Sequence, residues 1–158
     1  MAAEKLAVEL SLDPHPEGGY FRRVYTAPSS AGTRAHASSI LYLLPAGSVG
    51  HLHQLKSDEL WFYQKGRCLT VTQIGVDGVV TKNRVEPGIP LCVSAGTLFG
   101  SSLEGSDKDS GDNFALVACV VIPGFVWEDF MMPSKAELLQ RFSGNAEALA
   151  AICMLGKE

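Results

Sequence analysis

The run Gly47-Ser-Val-Gly-His51-Leu-His53-Gln-Leu-Lys-Ser-Asp58-Glu59-Leu-Trp61 concentrates the side chains best suited to chemistry. Two histidines at alternate positions share one face of a β-strand, because side chains repeat every two residues along it. Alternation therefore sends His51 and His53 into a pocket together or keeps both out of it. Glu59 opens an apolar aromatic run a few residues later, and a turn can return it to the same face. Imidazole and carboxylate are ligands for a divalent transition metal, so His51, His53 and Glu59 form the candidate metal set. Such a set leaves coordination positions open for water and substrate. The same groups serve equally as an acid–base pair or as polar anchors for a bound molecule. In the acid–base reading His53 is the general base, since imidazole titrates near neutrality. Asp58 or Glu59 then orients it, and Tyr42 or Tyr63 supplies the acid.

The elements that must position these residues are mainly strands. From about residue 20 to residue 122, short runs of Val, Ile, Leu and aromatics alternate with Gly, Pro, Ser and Asp. Strands are expected over 20–25, 39–44, 49–55, 59–64, 69–74, 79–85, 91–93, 97–102 and 114–122. Asp77-Gly78 carries a hairpin signal, because it tolerates the backbone of a tight turn. Residues 104–112 read as a polar, mobile loop. A short helix is expected over 4–12, ending before Asp13-Pro14-His15-Pro16, since proline disfavours helical geometry in the residue before it. Glu17-Gly18-Gly19 then permits an unusual turn. Near the C-terminus, Ser134-Lys-Ala-Glu137 fits a capping box, with Leu138, Leu139 and Phe142 as its apolar face and more helix over 146–154. Strands this short and numerous point to an all-β jelly roll or related barrel.

Bulk properties exclude several classes. With 158 residues, 46% hydrophobic and 19% charged, the chain suits one domain with a real core rather than a disordered segment. A net charge of −4 and no Lys/Arg run give no footprint for nucleic acid. No apolar run approaches the ~18 residues of a membrane span, and charges interrupt the N-terminal apolar stretches where a signal peptide would need continuity. Cys68, Cys92, Cys119 and Cys153 are widely spaced without a CxxC, which fits reduced, mostly buried thiols in a cytoplasmic protein.

Gly47 through Gly66 resembles the first signature of the cupin superfamily: glycine, His-x-His, a nearby Glu, then six residues and a glycine. The second cupin signature usually holds a Pro-x-Gly followed by histidine; Ser94-Ala95-Gly96-Thr97-Leu98-Phe99 takes that place without either the proline or the histidine. Three segments together resemble the small cupin_5 family of largely unassigned function. They are His15-Pro16-Glu17-Gly18-Gly19-Tyr20-Phe21-Arg22, Ser57-Asp58-Glu59-Leu60-Trp61 and Pro123-Gly124-Phe125-Val126-Trp127-Glu128-Asp129-Phe130. The resemblance implies a double-stranded β-helix with short N- and C-terminal helices, a single cupin domain over 1–158, and a homodimer. It also implies similarity to cupin-fold epimerases acting on nucleotide-linked sugars, hence a nucleoside diphosphate or nucleotide sugar as ligand.

Two departures bear on mechanism. Phe62 stands where family members often have histidine, and Gly100, Ser101 and Ser102 stand where a classical metal cupin draws its last histidine. Metal-free binding is therefore the leading reading, with a divalent metal as the alternative cofactor and a non-catalytic dimeric structural protein as a third class. The candidate ligand-binding residues are Glu17, Tyr20, Arg22, Ser39, Tyr42, His53, Asp58 and Trp61, and the candidate catalytic residues His53, Glu59 and Tyr63. Aromatic rings offer stacking surface, and a guanidinium grips phosphate with two parallel bonds. In the structural reading, residues 123–130 cover a dimer seam or the barrel floor.

Overall fold

A computed structural model describes residues 3–103 and 113–158, so the expected loop over 104–112 lies outside the described residues. Helix α1 (Ala3–Glu9) is followed by β1 (Asp13–Pro14), β2 (Tyr20–Thr26), β3 (Ser38–Pro45), β4 (Val49–His53) and β5 (Asp58–Gly66). Then come β6 (Leu69–Ile74), β7 (Val80–Val85), β8 (Leu91–Val93), β9 (Leu98–Leu103) and β10 (Phe114–Ile122). A 3₁₀ turn (Trp127–Asp129), α2 (Lys135–Arg141) and α3 (Ala146–Leu155) complete the described chain. The strands form two antiparallel sheets, β1-β2-β3-β10-β5-β8 and β4-β9-β6-β7, facing each other as a jelly-roll barrel.

Alternation along each strand divides its side chains between the barrel interior and the covering helices. Tyr42, Leu44, Trp61, Val71, Val93, Phe99, Val117, Cys119 and Val121 fill the interior. The opposite face of the second sheet, through Leu52, Ile74 and Leu98, packs on Leu138, Phe142, Ala148, Ile152 and Leu155 of the C-terminal helices. On the first sheet, Leu43 and Leu116 pack with Phe114 on Leu6 and Ala7 of α1. Burying a side chain of this size contributes about 1.5–3 kcal/mol, so the helices are held by these stripes more than by their own short lengths.

The expected local signals take concrete form. Ser134 caps α2 and Glu137 reaches back to the Ser134 amide, completing the capping box. At the Asp77-Gly78 hairpin the Gly75 amide donates to the Val79 carbonyl at 2.9 Å. Helix α1 stops at Glu9, earlier than expected, because Ser11 adopts a left-handed φ of 52°. The cysteines differ from expectation in burial: all four are free thiols, but only Cys119 is buried, while Cys92 and Cys153 are exposed.

Candidate active site in the barrel mouth

The site begins at the turn before β2. Gly18 and Gly19 have φ of 112° and 70°, and a Cβ on either would collide with a backbone carbonyl, of Val49 and of Leu43 respectively. Glycine therefore lets this turn press against β3 and β4. The Glu17 carbonyl accepts from the His51 amide at 2.7 Å, and the Gly18 carbonyl accepts from the Tyr42 hydroxyl at 3.0 Å. So anchored, the Glu17 side chain enters the barrel, where Oε2 lies 3.0 Å from His53 Nε2 and 3.7 Å from His15 Nδ1.

Strand β4 does not keep strict alternation. Its pairing with β9 shifts register between Gly50 and His53, and such a bulge re-aims the side chains beyond it. A Cβ on Gly50 would strike Ser101 Oγ and come within 2.9 Å of the Tyr42 hydroxyl, so Gly50 faces the interior. Leu52 packs on the C-terminal helices, and His51 Nδ1 lies 3.1 Å from the Leu155 carbonyl of α3. Only His53 turns inward. The expectation that His51 and His53 go together is thus corrected, and the bulge is the reason.

His53 is fully engaged. Its Nδ1 lies 2.7 Å from the His51 carbonyl, an acceptor, and so carries a proton, while Nε2 faces Glu17. Burial works against a charged imidazole here, but the Glu17 carboxylate outweighs it and lifts the His53 pKa above its ordinary value. Burial likewise works against the Glu17 carboxylate, and the His53 charge and hydrogen bond outweigh it, holding Glu17 below the usual range. The two directions agree on a buried ion pair. The His53 ring also lies between Phe99 and Phe130, with centroids 4.2 and 5.2 Å away. His15 accepts at Nδ1 from the Glu17 amide at 3.1 Å, and burial lowers its pKa.

Glu59 and Trp61 reach the same space from β5, two residues apart on one face. Glu59 is 6% exposed, and burial raises its pKa to about 7 despite the nearby His53 charge. Its Oε2 and the Trp61 indole Nε1 have no hydrogen-bond partner among the described residues. Burial also pushes the Cys119 thiol and the Tyr42 hydroxyl well above their ordinary values, so both act as proton-bearing groups rather than nucleophile or base.

These residues surround a cavity of about 450 Å³. Its mouth is walled by Phe125, Trp127 and Phe130 from the strap of residues 123–131, and by Phe21 and Arg23 from β2. The strap is tied at several points. Arg34 donates from Nε to the Gly124 carbonyl at 2.7 Å and pairs through Nη1 with Asp129 at 2.7 Å. Ser38 Oγ accepts from the Phe125 amide at 2.9 Å, and Gln54 and Met131 exchange backbone bonds of 2.7 and 3.0 Å. Residues 125–128 and 130, from the segment expected at a dimer seam or the barrel floor, line the cavity.

Of the expected site residues, the structure gathers Glu17, Tyr42, His53, Glu59 and Trp61 around the cavity. It places the others elsewhere. Arg22 is exposed on the outer face of β2, and Arg23 lines the cavity in its stead. Tyr20 packs with the α1 cluster. Ser38, not Ser39, lines the cavity. The Asp58 carboxylate accepts from the Ala95 amide at 2.8 Å, and the Tyr63 hydroxyl donates to the Gly66 carbonyl at 2.8 Å. For Arg22 and Ser39 the cause is strand parity, which a β2–β3 register shift between Arg23 and Tyr25 makes hard to read from sequence. His15 and the strap aromatics also belong to the cavity; their signal was membership of the His15-to-Arg22 and Pro123-to-Phe130 segments, without any indication that these meet in space.

The donor set does not fit a cupin-type metal. His51 points to α3, both His53 nitrogens have partners, and Phe99 and Ser101 occupy the inner positions of β9. Among the described residues no group of three His, Cys, Asp or Glu side chains is arranged to hold a metal ion.

Comparison with known proteins agrees with this architecture. The model of the family described as Cupin superfamily (DUF985) matches residues 4–133. A protein of Shewanella oneidensis is similar over 99% of this chain and 98% of its own, at 30% identity with a TM-score of 0.88. A hypothetical protein from Leishmania major is similar over the whole of both chains, also at 30% identity and a TM-score of 0.88. Oxalate decarboxylase from Bacillus subtilis shares the fold at 20% identity and a TM-score of 0.60, over 92% of this chain and 37% of that one. No curated protein matches the chain.

Proposed function

Because the chain belongs to the Cupin superfamily, in the family described as DUF985, we propose that it binds a small organic molecule in the barrel mouth and exchanges protons with it there. The observation that carries this reading is the buried Glu17–His53 pair, 3.0 Å apart, lining one cavity with Glu59. Environments that drive neighbouring groups in opposite directions assign their roles. The His53 imidazolium, neutralised by Glu17, orients a ligand by position and charge. Glu59, titrating at about 7, is near half-protonated at neutral pH and so takes or gives a proton with little driving force lost. The Trp61 indole adds a hydrogen-bond donor, and the Tyr42 hydroxyl, which donates to the Gly18 carbonyl, adds acceptor capacity to a largely aromatic and apolar wall, as small-molecule sites commonly have.

Oxalate decarboxylase of Bacillus subtilis, a protein with Mn(II) centres, lends only its fold at this identity. A metal-dependent variant of the present reading would need donors other than His51, and no converging set is found among the described residues. A nucleoside diphosphate or nucleotide sugar is the second reading. One observation favours it: Arg23 lines the cavity beside Phe125 and Trp127, where a phosphate and a stacked base would sit. Glu17 and Glu59, both buried in the same lining, oppose phosphate at depth. We also propose a homodimer, supported by the exposed Val24 and Tyr25 on strand β2, and a reducing, cytoplasmic setting, supported by the exposed free thiols of Cys92 and Cys153. No helix among the described residues is long and apolar enough to cross a membrane.

Thermal-shift titration tests the pocket. A panel of small cyclic and aromatic alcohols and amines, with uridine and uridine diphosphate, is run on the native protein and on His53→Gln, which retains a donor toward Glu17. Stabilisation of the native protein that shrinks in the variant is expected, since a ligand of the folded state raises the melting temperature once its concentration exceeds its dissociation constant. Equal stabilisation of both proteins, or none, overturns the reading. Uridine diphosphate binding more tightly than uridine, with the difference lost in Arg23→Ala, would put the nucleotide reading first.

A further inference from the structure

We infer that the barrel-mouth cavity is built for an organic cation, an ammonium group carried on an apolar body, which Glu59 receives and the strap aromatics enclose. This rests on the small-molecule reading above and narrows it to one class of ligand.

The charge around the cavity is unevenly matched. Three carboxylates line it, Glu17, Glu59 and Glu128, against the guanidinium of Arg23 and the imidazoles of His15 and His53. Glu17 is satisfied by His53. Arg23 lies at the rim, its Nη2 donating to the Phe125 carbonyl at 3.3 Å. His15 accepts a backbone amide at Nδ1 and is held toward its neutral form by burial. Glu59 is left, nine-tenths buried, without an ion pair among the described residues and with Oε2 unpartnered. A buried carboxylate without a counter-charge is costly and is normally paired. The Cys119 thiol and Trp61 indole beside it are neighbours without a counter-charge, so no described residue pairs the Glu59 charge.

The walls complement such a partner. Phe125 and Trp127 have centroids 4.9 Å apart at 88°, and Phe130 stands 5.5 Å from Trp127 at 79°. Perpendicular rings present both faces and edges to the enclosed space, and ring faces attract cations. The protein displays this preference itself, because the Arg23 guanidinium already lies 5.9 Å from the Phe125 centroid. An anionic ligand would meet Glu17 and Glu59 in the same space, and a neutral one would leave Glu59 either protonated or unpaired.

Three molecules of one shape separate the possibilities: cyclohexylmethylamine, cyclohexylmethanol and cyclohexanecarboxylate, titrated against the full chain with tryptophan fluorescence as readout. Both tryptophans of the chain line the cavity, and none of the three probes absorbs where they do. At about pH 8 the amine is expected to bind about tenfold more tightly than the alcohol, and the carboxylate most weakly. Glu59→Gln should bring the amine down to the affinity of the alcohol while the alcohol is nearly unchanged.

The native protein supplies a second measurement that needs no variant. Amine affinity should rise about tenfold between about pH 6 and pH 8, the factor by which ionisation of an acid titrating near 7 increases. Glu17, His53, His15, Cys119, Tyr42, Arg23 and Glu128 also face this space. A flat pH profile in Glu59→Gln therefore assigns the dependence to Glu59. Amine and alcohol of equal affinity, or carboxylate binding tightest, overturns the cation inference and leaves the small-molecule pocket standing. Failure of all three to bind overturns both. Should Glu59→Gln lack a cooperative melt, a pH-independent amine affinity in the native protein overturns the inference alone.

Discussion

Burial of one carboxyl, Glu59, gives this protein a pH response that can be separated from those of Glu17 and His53. Its pKa is raised by burial from the ordinary carboxylate range to about 7, so the folded state holds its proton more strongly than the unfolded chain. That contribution is favourable below the unfolded value and is lost as pH rises toward the folded one. Native protein should therefore lose about 3 kcal/mol through this group between about pH 4.5 and pH 7, a slope absent from Glu59→Gln. Urea unfolding of both proteins at the two ends of that window measures the difference. Glu17 and His53 contribute in both proteins: the lowered Glu17 adds stability above its unfolded value, and the raised His53 loses its contribution as pH climbs through its folded one. Identical slopes in native and variant protein would remove Glu59 from this role. The two histidines of β4 should diverge just as clearly. His51→Ala removes one bond to the Leu155 carbonyl and should cost about 1 kcal/mol with cavity binding intact. His53→Ala strands the buried Glu17 carboxylate and should cost about 3–5 kcal/mol. Parallel melting curves for the two variants would contradict the bulge-driven separation of their roles.

Among the elements, β4 and the strap matter most for the site. Strand β4 brings Gly50 so near Ser101 and Tyr42 that even a methyl group must displace one of them. Gly50→Ala should destabilise by about 1–3 kcal/mol through overpacking, and Gly50→Ala with Ser101→Ala should recover part of that loss. Thermal melts of the single and double variants decide it, and additive losses would place the strain elsewhere. The strap carries three cavity rings but little regular structure beyond its 3₁₀ turn. Its position depends on Arg34, which joins Gly124, Ser57 and Asp129. In Arg34→Ala, faster amide exchange at Phe125 and Met131 is expected, with the strand amides of β10 unchanged. Uniform exchange across both would mean that the strap does not open on its own.

For the molecule as a whole, the two-sheet barrel leaves one mouth framed by elements from distant parts of the sequence, and this limits the cofactor chemistry it can host. His51, His53 and Glu59 do not converge, so the protein as purified should carry well under one equivalent of divalent metal, and a chelator should leave its melting temperature unchanged. Elemental analysis finding a full equivalent, lost together with stability on chelation, would reverse that expectation. Light scattering at several concentrations reads the proposed dimer directly.

Much of the architecture is written locally. Strands β6 and β10 coincide with their apolar runs, and the Ser134 capping box and Asp77-Gly78 hairpin follow from residue types that satisfy nearby backbone groups. The same local chemistry marked His53, Glu59, Glu17, Tyr42 and Trp61 as residues of interest, and the cupin resemblance was legible in the spacing of His51, His53 and Glu59. What the tertiary structure decided was direction and company. A bulge in β4 separated His51 from His53, parity on β2 and β3 exchanged Arg22 for Arg23 and Ser39 for Ser38, and long-range closure set Phe125, Trp127 and Phe130 across from Glu17. Strand patterns record which residues are apolar, but a one-residue bulge reverses the face of every side chain beyond it. The pairing of Glu17 with His53, and the isolation of Glu59, exist only once the sheets have closed around them.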